Sequence, residues 1–353
     1  MALDRLAACR IAIIKPSALG DIIHALPVLT ALRSRYPTAR ITWIVNRAYE
    51  PLLAGHPDLT DTLPFDRGAL TSLRGALTTS VAFATELRRR RFDLVIDLQG
   101  LLRSGLMAWA SGAPVRVGFR TAREGSRYFY THKLDAPART EAHAVERMWR
   151  VAEAFGVGHL PKVFRIPLPP DALASALQKL AGLPKPVIAV AVGAKWPTKR
   201  WPPAHFAAVL QHAHTHFGAG CFFVGSCDDT PNTQAVLASL RGPALDFTGR
   251  TSLPQLAALL ACADVMLAND TGPLHLAAAL GKPCVAPYLC TRIAYHGPYT
   301  ATARCIETTV PCAGSYLKTC NTMICMPELT ADRLWPLLAE TLHTWTLHNS
   351  RSA

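Results

Sequence analysis

VMLANDTGPLHLAAALG, residues 265–281, predicts a buried strand, a polar loop and a short helix in immediate succession. Gly281 ends the helical pattern, and Pro273 suits its first turn, where the missing N–H would have no partner anyway. Free N–H groups and the dipole at such a helix start suit a phosphate, so we interpret the loop as an anion site. The alternative is a helix start capped by its own Asp270 or Thr271.

The same alternation of strands and helices runs through the whole chain. Apolar strands are predicted at residues 10–15, 41–45, 94–98, 187–192, 221–224 and 265–268. Helical patterns are predicted at residues 22–36, 204–216, 253–262 and 331–348, and a short one runs through residues 276–280 after Pro273. Continuous apolar strands that alternate with helices indicate parallel sheets buried on both faces. We therefore predict an α/β protein with two Rossmann-like, doubly wound domains that face a ligand cleft.

A proline-rich segment, residues 164–170, separates the two halves, because three of its last four residues are prolines. We predict an N-terminal domain at 1–165 and a C-terminal domain at 166–353, whose final helix could pack back on the N-terminal domain. Neither half contains the G-x-G-x-x-G spacing or a Walker lysine motif, which disfavours a nicotinamide dehydrogenase and a P-loop kinase.

The composition is that of a globular, strongly basic protein. Half of the 353 residues are apolar, and 37 basic against 24 acidic residues give a formal net charge of +13. The first ten residues lack the layout of a signal peptide, and apolar stretches are interrupted before ~18 residues, so we expect a cytoplasmic protein. The positive charge fits an anionic substrate and an anionic membrane surface; the patterns of nucleic-acid-binding modules are absent, so we expect no nucleic acid partner.

Cysteines and histidines raise the question of a metal site. Four cysteines cluster late in the chain: Cys305, Cys312, Cys320 and Cys325. They form no C-x-x-C pair, so we expect reduced structural thiols rather than zinc or iron ligands. His212 and His216 have the four-residue spacing of ligands on a helix, but no acid completes the pattern, and we expect no metal.

Six short segments, taken in order, carry a family resemblance. They are KPSALGDIIHAL (15–26), DLQGLLRS (97–104), TAREG (121–125), HAVER (143–147), KRWP (199–202) and DTGPLHLAAALG (270–281). On these the chain resembles the lipopolysaccharide heptosyltransferases of glycosyltransferase family 9 over nearly its whole length. The resemblance implies the B-type glycosyltransferase (GT-B) fold. It is closest to heptosyltransferase I, whereas the cysteine-bearing residues 311–326 resemble heptosyltransferase II.

The resemblance implies a cofactor-free, inverting transfer of heptose from ADP-L-glycero-D-manno-heptose to the Kdo or inner core of lipopolysaccharide. Heptosyltransferase II, or another family member with a different acceptor or nucleotide sugar, is the alternative. Asp21 matches the catalytic base of the family. An acceptor hydroxyl must lose its proton as it attacks, and a carboxylate with an ordinary pKa of ~3.9 is ionised at neutral pH. From the sequence alone, Asp21 could instead be the N-cap of the helix that follows.

The resemblance also implies donor-binding residues in the C-terminal domain: Lys199, Asp229, Asp270, Thr271, Gly272 and His275. Lys199 matches the lysine that contacts the donor diphosphate, where a fixed ammonium stabilises the departing ADP. Asp229 falls where the family holds the ribose, usually with a glutamate. Asp270 is expected to brace the loop rather than contact the negatively charged diphosphate. Without the resemblance, Lys199 could be plain surface charge and Asp229 a turn residue.

Acceptor-binding residues are implied in the N-terminal domain: Ser17, Gly20, Arg103, Arg120 and Arg123. A Kdo-bearing lipid A is rich in carboxylate and phosphate groups, which suit the guanidinium fork of arginine. Of these residues, Arg123 lies inside a matching segment, whereas Arg120 could equally be surface charge. The lipid acceptor implies a protein that is peripheral at the inner face of the inner membrane. His143 is expected to be structural, at a helix start.

Overall fold

The computed structural model describes residues 2–66 and 73–350. The chain forms two compact units, Met1–Pro167 and Leu168–Ala353, and the boundary along the sequence falls inside the proline-rich segment 164–170. In the described part of the chain, no helix combines the length and the apolar character that a membrane crossing requires.

Unit 1 contains, within its described residues, a parallel sheet of six strands in the order β3-β2-β1-β4-β5-β6. The strands are β1 (Arg10–Ile14), β2 (Arg40–Asn46), β3 (Asp61–Phe65), β4 (Leu94–Asp97), β5 (Val115–Phe119) and β6 (His132–Leu134). The helices are α1 (Leu19–Arg35), α2 (Glu50–Leu53), α3 (Leu73–Arg89), α4 (Leu102–Ala110) and α5 (Ala144–Ala154). The central strands β1 and β4 are apolar except for Arg10 at the start of β1 and Asp97 at the end of β4, as expected for a sheet that is buried on both faces.

Unit 2 repeats this architecture, with six parallel strands among its described residues in the order β12-β11-β10-β7-β8-β9. The strands are β7 (Val187–Ala191), β8 (Gly220–Phe223), β9 (Ala244–Asp246), β10 (Val265–Ala268), β11 (Cys284–Tyr288) and β12 (Ala303–Glu307). The helices are α6 (Pro170–Leu180), α7 (Pro203–Phe217), α8 (Thr230–Ser239), α9 (Leu253–Cys262), α10 (Gly272–Ala279), α11 (Ile293–His296), α12 (Cys325–Glu328) and α13 (Ala331–Ser350). The final helix, α13, packs on α7, β11 and β12 of its own unit through Leu334, Leu338 and Leu342.

In both sheets the first strand lies in the middle and the strand order reverses beside it. β1 pairs with β2 and β4, and β7 pairs with β8 and β10. Ligands of open α/β sheets bind outside the carboxyl ends of the strands at such a reversal. The loops after β1 and β4 in unit 1, and after β7 and β10 in unit 2, therefore occupy the favoured positions.

Helix α1 begins one turn earlier than the sequence predicts, at Leu19 rather than Ile22. Its N-cap is Ala18, and the carboxylate of Asp21 in the first turn accepts the Ala18 N–H at 3.2 Å. The N-cap interpretation of Asp21 is therefore wrong in position, because the residue is already inside the helix. Gly20 lies beside it in that same first turn.

Candidate functional site

In unit 2, a buried asparagine joins the two loops that follow β7 and β10. The Oδ1 of Asn269 accepts the Trp201 N–H at 3.1 Å, and its Nδ2 donates to the Val192 carbonyl at 2.8 Å. The Trp201 indole, also buried, donates to the Leu329 carbonyl at 2.6 Å. These contacts fix the segment that carries Lys199 against the end of β10.

The carboxylate of Asp270 is surrounded by hydrogen-bond donors. Lys199 Nζ lies 2.5 Å and the Thr291 hydroxyl 2.8 Å from its Oδ2, and His275 Nε2 lies 3.4 Å from its Oδ1. Burial alone would raise the pKa of Asp270, but the hydrogen bond from His275 and the charge of Lys199 outweigh it and hold the pKa well below its ordinary value. Asp270 is thus a buried anion that orients Lys199.

Helix α10 begins without a side-chain cap. Its N-cap is Thr271, whose side chain makes no capping hydrogen bond within the described residues. The Asp270 carboxylate is bonded to Lys199 and Thr291 instead. The structure therefore does not support the capped-helix alternative, and the backbone from Gly272 onward starts a helix suited to an anion.

Asp229 lies where β7 and β8 end. Its Oδ2 accepts hydrogen bonds from the backbone N–H and the hydroxyl of Ser226, both at 2.8 Å. The carboxylate sits so close to Gly193 and Gly225 that a β-carbon at either position would collide with it. Glycine at these two positions is therefore required for the placement of Asp229 beside the strand ends.

Two residues near Lys199 were missed by the sequence analysis. The Lys199 ammonium lies 4.8 Å from the centre of the Trp196 ring, and the Lys318 ammonium lies 5.8 Å from that same centre. The Thr198 hydroxyl donates to the Leu317 carbonyl at 2.6 Å, which ties the later segment to this place. Lys318 lies inside residues 311–326, the segment that resembles heptosyltransferase II, and this position could have indicated that it belongs to the site.

In unit 1, a cavity of about 210 Å³ opens at the carboxyl ends of the central strands. It is lined by Pro16, Ser17, Asn46, Phe65, Gln99, Leu101, Arg103, Ser104 and Glu124. The Arg103 guanidinium lies 5.6 Å from the centre of the Phe65 ring. The buried Oε1 of Gln99 has no hydrogen-bond partner among the described residues. Polar side chains, the cation Arg103 and the anion Glu124 thus share this cavity with the apolar Phe65 and Leu101.

The half-exposed carboxylate of Asp21 lies beside a buried lysine. Its side chain is 48% exposed, and its Oδ1 lies 4.0 Å from Lys15 Nζ. Lys15 donates to the Leu98 carbonyl at 3.2 Å. Burial lowers the pKa of Lys15, while the charges of Asp21 and Asp97 oppose that change. The site therefore contains a cation that the sequence analysis had not selected, although it lies in the segment 15–26.

The charge of Asp21 also acts on Arg147. Burial lowers the pKa of Arg147, the positive charges of Arg139 and Arg123 lower it further, and the charge of Asp21 opposes them. The charges of Asp21 and Arg123 therefore both act on Arg147, in opposite directions. Arg120 instead forms an exposed ion pair with Asp135 at 2.8 Å.

His143 caps helix α5, because its Nδ1 accepts the Val145 N–H at 3.2 Å. The expected structural position at a helix start is confirmed. The rings of His212 and His216 stack with centres 6.0 Å apart, and Trp335 lies against both. Among residues 2–66 and 73–350, no group of three or more His, Cys, Asp or Glu side chains is placed to hold a metal ion.

The family can now be assigned. The model of glycosyltransferase family 9 (heptosyltransferase) matches residues 80–324. This chain belongs to glycosyltransferase family 9. It is 30% identical over 323 residues to lipopolysaccharide heptosyltransferase 1 of Pseudomonas aeruginosa, covering 88% of this chain and 87% of the relative. It is 28% identical over 296 residues to lipopolysaccharide heptosyltransferase 2 of Escherichia coli K12, covering 79% and 82%.

Solved structures of family 9 share the fold. The glycosyl transferase family 9 protein of Veillonella parvula superposes with a TM-score of 0.82 at 24% identity, over 98% of this chain and 99% of that one. The E. coli heptosyltransferase WaaC with ADP-2-deoxy-2-fluoro heptose superposes with a TM-score of 0.72 at 23% identity, over 94% and 99%. The predicted α/β, GT-B fold with two Rossmann-like sheets is confirmed.

Proposed function

We propose that this family 9 enzyme is an inverting, heptosyltransferase I-like enzyme. It would transfer heptose from ADP-L-glycero-D-manno-heptose to the Kdo of the lipopolysaccharide inner core. The observation that carries the proposal is the half-exposed carboxylate of Asp21, 4.0 Å from Lys15 Nζ, in a chain whose other unit offers an anion site at Lys199. The similarity to the Pseudomonas heptosyltransferase 1 supports this choice of acceptor.

Unit 2 is proposed to hold the donor. The uncapped start of α10 at Thr271 and Gly272, together with the ammonium of Lys199, suits the ADP diphosphate. As the bond between the anomeric carbon and the diphosphate breaks, its electrons pass to the phosphate oxygen. Fixed positive charge at that oxygen stabilises the leaving group. Asp229, braced by Ser226, is proposed to hold the ribose hydroxyls.

Unit 1 is proposed to hold the acceptor and the base. The acceptor hydroxyl oxygen forms the new bond to the anomeric carbon, and its proton passes to the carboxylate of Asp21. The half-exposed side chain of Asp21 leaves that carboxylate accessible to a substrate. Arg103 in the cavity and Arg123 near Arg147 are proposed to bind the carboxylate and phosphate groups of the acceptor.

A cytoplasmic enzyme, peripheral at the inner face of the inner membrane, fits this chemistry. The formal net charge of +13 favours an anionic lipid surface. A lipid-borne acceptor would be found at such a surface.

Heptosyltransferase II is the second candidate. It is favoured by the 28% identity to the E. coli heptosyltransferase 2 and by the contact of residues 311–326 with the Lys199 region through Leu317. ADP release measured with acceptors that end in Kdo or in heptose separates the two functions. Preference for the Kdo-ended acceptor supports the first proposal, and preference for the heptose-ended acceptor overturns it.

Thermal shift with ADP, UDP and GDP tests the nucleotide, because a bound ligand raises the apparent stability by mass action. Stabilisation by ADP above the other two is the expected result. An equal or larger shift with UDP or GDP would point to a family member with another nucleotide sugar.

A further inference from the structure

One face of helix α4 exposes three large apolar side chains. Leu102, Leu106 and Trp109 are 43%, 43% and 54% exposed. Their spacing of four and three residues places them on the same side of the helix. An amphipathic helix of a globular unit normally turns such a stripe toward the core. The core side of α4 is instead formed by small and medium residues such as Gly105 and Ala108.

A second element packed on α4 also exposes a large aromatic side chain. The short 3-10 turn Ser126–Phe129 packs closely on α4, where a β-carbon at Gly105 would meet Ser126 and Phe129 at 2.9 Å. This turn carries Tyr128, which is 71% exposed. Leu102, Leu106, Trp109 and Tyr128 together define what we call the α4 patch.

Three exposed arginines lie on or next to the two elements that carry the α4 patch. The Arg127 guanidinium donates to the Tyr128 hydroxyl at 2.9 Å and lies 5.0 Å from the centre of its ring. Arg88 donates from Nε to the Ala110 carbonyl at the end of α4, at 3.2 Å, and Arg103 belongs to α4 itself. The nearby carboxylate of Glu124 accepts the Leu102 N–H at 3.2 Å. The rim is therefore predominantly cationic.

We propose that the α4 patch docks on an anionic lipid bilayer. Tyrosine and tryptophan rings favour the interface between lipid and water, where each offers an apolar body and a polar edge. Arginines bind lipid phosphates and gain from the negative surface potential. The patch presents these two components side by side, and charge complementarity identifies the bilayer as the occupant.

The size of the patch argues against a second copy of the chain as its occupant. Four partly exposed side chains of this type offer on the order of 400 Å². A stable protein interface buries about 800 Å² on each partner. A bilayer has no such threshold, because insertion of a few apolar side chains adds to the electrostatic attraction.

Docking through this patch would place the proposed acceptor pocket at the membrane. Leu101, Arg103 and Ser104, at the start of α4, line the 210 Å³ cavity. The patch begins at the adjacent Leu102. The inference rests on the proposed function to this extent: a sugar carried by a lipid would enter the cavity from the surface on which the patch lies.

Sedimentation with vesicles tests the docking without any substrate. The full chain is mixed with phosphatidylethanolamine–phosphatidylglycerol vesicles, and the variant Leu106→Ser/Trp109→Ser is compared with the wild type. We expect the bound fraction to fall about tenfold or more, since two interfacial side chains are lost. Leu177→Ser is the matched control, because Leu177 is a 58% exposed leucine on α6 in unit 2 and its replacement should leave binding unchanged.

Tyr128→Ser provides a second variant on a different element, and thermal unfolding checks that each variant is folded. Equal binding of the wild type and the folded patch variants would overturn the docking proposal. So would a wild-type dimer that the patch substitutions dissociate, since a second copy would then cover the face.

Transfer assays separate this inference from the proposed function. The patch variants should lose transfer to a vesicle-borne acceptor and keep transfer to a deacylated one. If vesicle binding depends on the patch but the wild type releases no ADP with any acceptor, the docking stands and the proposed function falls. If the wild type transfers heptose and the patch variants bind vesicles normally, the proposed function stands and the docking proposal falls.

Discussion

Asp21 of unit 1 and Asp270 of unit 2 occupy comparable places and have opposite surroundings. Each follows a central strand, lies at a helix start and has a lysine nearby. In unit 1 the acid is 48% exposed and Lys15 is 7% exposed, with 4.0 Å between the charged atoms. In unit 2 the acid is 6% exposed and Lys199 is 17% exposed, at 2.5 Å.

The difference in exposure suits the two carboxylates to different roles: Asp21 can react with a substrate, whereas Asp270 supports the position of Lys199. A buried carboxylate bonded to Lys199, Thr291 and His275 has little capacity left for a substrate proton. The side chain of Asp21 is half-exposed, so a substrate can reach its carboxylate, and the buried Lys15 lies 4.0 Å from it. The loop in unit 1 thus suits a general base. The similar loop in unit 2 suits a carboxylate that holds the Lys199 cation in place to bind an anion.

Asp21→Asn tests the proposed reactive role of Asp21, and we expect it to have the largest effect. The amide preserves the size of the side chain and can still accept the Ala18 N–H, but it cannot take a proton from the acceptor. We expect turnover to fall about 10²–10⁴-fold, the usual contribution of a general base. ADP release measures turnover, and calorimetric titration with ADP should give an unchanged affinity. Turnover within tenfold of the wild type would remove Asp21 from the chemistry.

Asp270→Asn tests the supporting role in unit 2. Breaking a buried ion pair leaves Lys199 without its counter-charge, so the free energy of unfolding should fall by about 3 kcal/mol at neutral pH. Urea unfolding of the wild type and the variant measures the difference. A loss below 0.5 kcal/mol, taken as a rough threshold for a surface change, would show that the carboxylate does not brace the loop.

The pH dependence of that difference follows from the lowered native pKa of Asp270. The ionised form is favoured by folding, so its stabilisation is fully present above the unfolded pKa of ~3.9. It is lost as the pH falls from there toward the lower native pKa. The stability gap between the wild type and Asp270→Asn should therefore narrow below about pH 4. A gap that widens on acidification would contradict the assignment.

Lys199→Met tests whether the ammonium that Asp270 holds binds the donor diphosphate, and its expected effect is smaller than that of the two aspartate variants. Removing the ammonium should weaken ADP binding about 10-fold to 100-fold, because a charge-assisted contact to the diphosphate is lost. AMP, which has a single phosphate, should lose less. Lys195→Met is the matched control, since Lys195 is an exposed lysine of the same loop. Equal losses for ADP and AMP would place the diphosphate elsewhere.

Residues that cap or end helices, and short apolar runs, made several elements predictable from the sequence. The predicted bounds of the strand 265–268 and the helix 253–262 are those of β10 and α9. Ser252 accepts the Gln255 N–H at the start of α9, and Gly281 follows α10 with a φ of +75°. Such signals act within a few residues, so they are legible in the sequence. The early start of α1 was missed because its first turn, with Gly20, resembles a loop.

The alternation of strands and helices, the two units and the family segments could all be identified from the sequence, since apolar periodicity and capping chemistry are local properties. Tertiary structure alone decided which of two similar carboxylates is open and which is buried. It also decided that Lys318 approaches Trp196 and that α4 leaves its apolar face exposed. The exposure and charge of a side chain depend on groups that lie far away along the chain. Only folding brings those groups within a few ångströms.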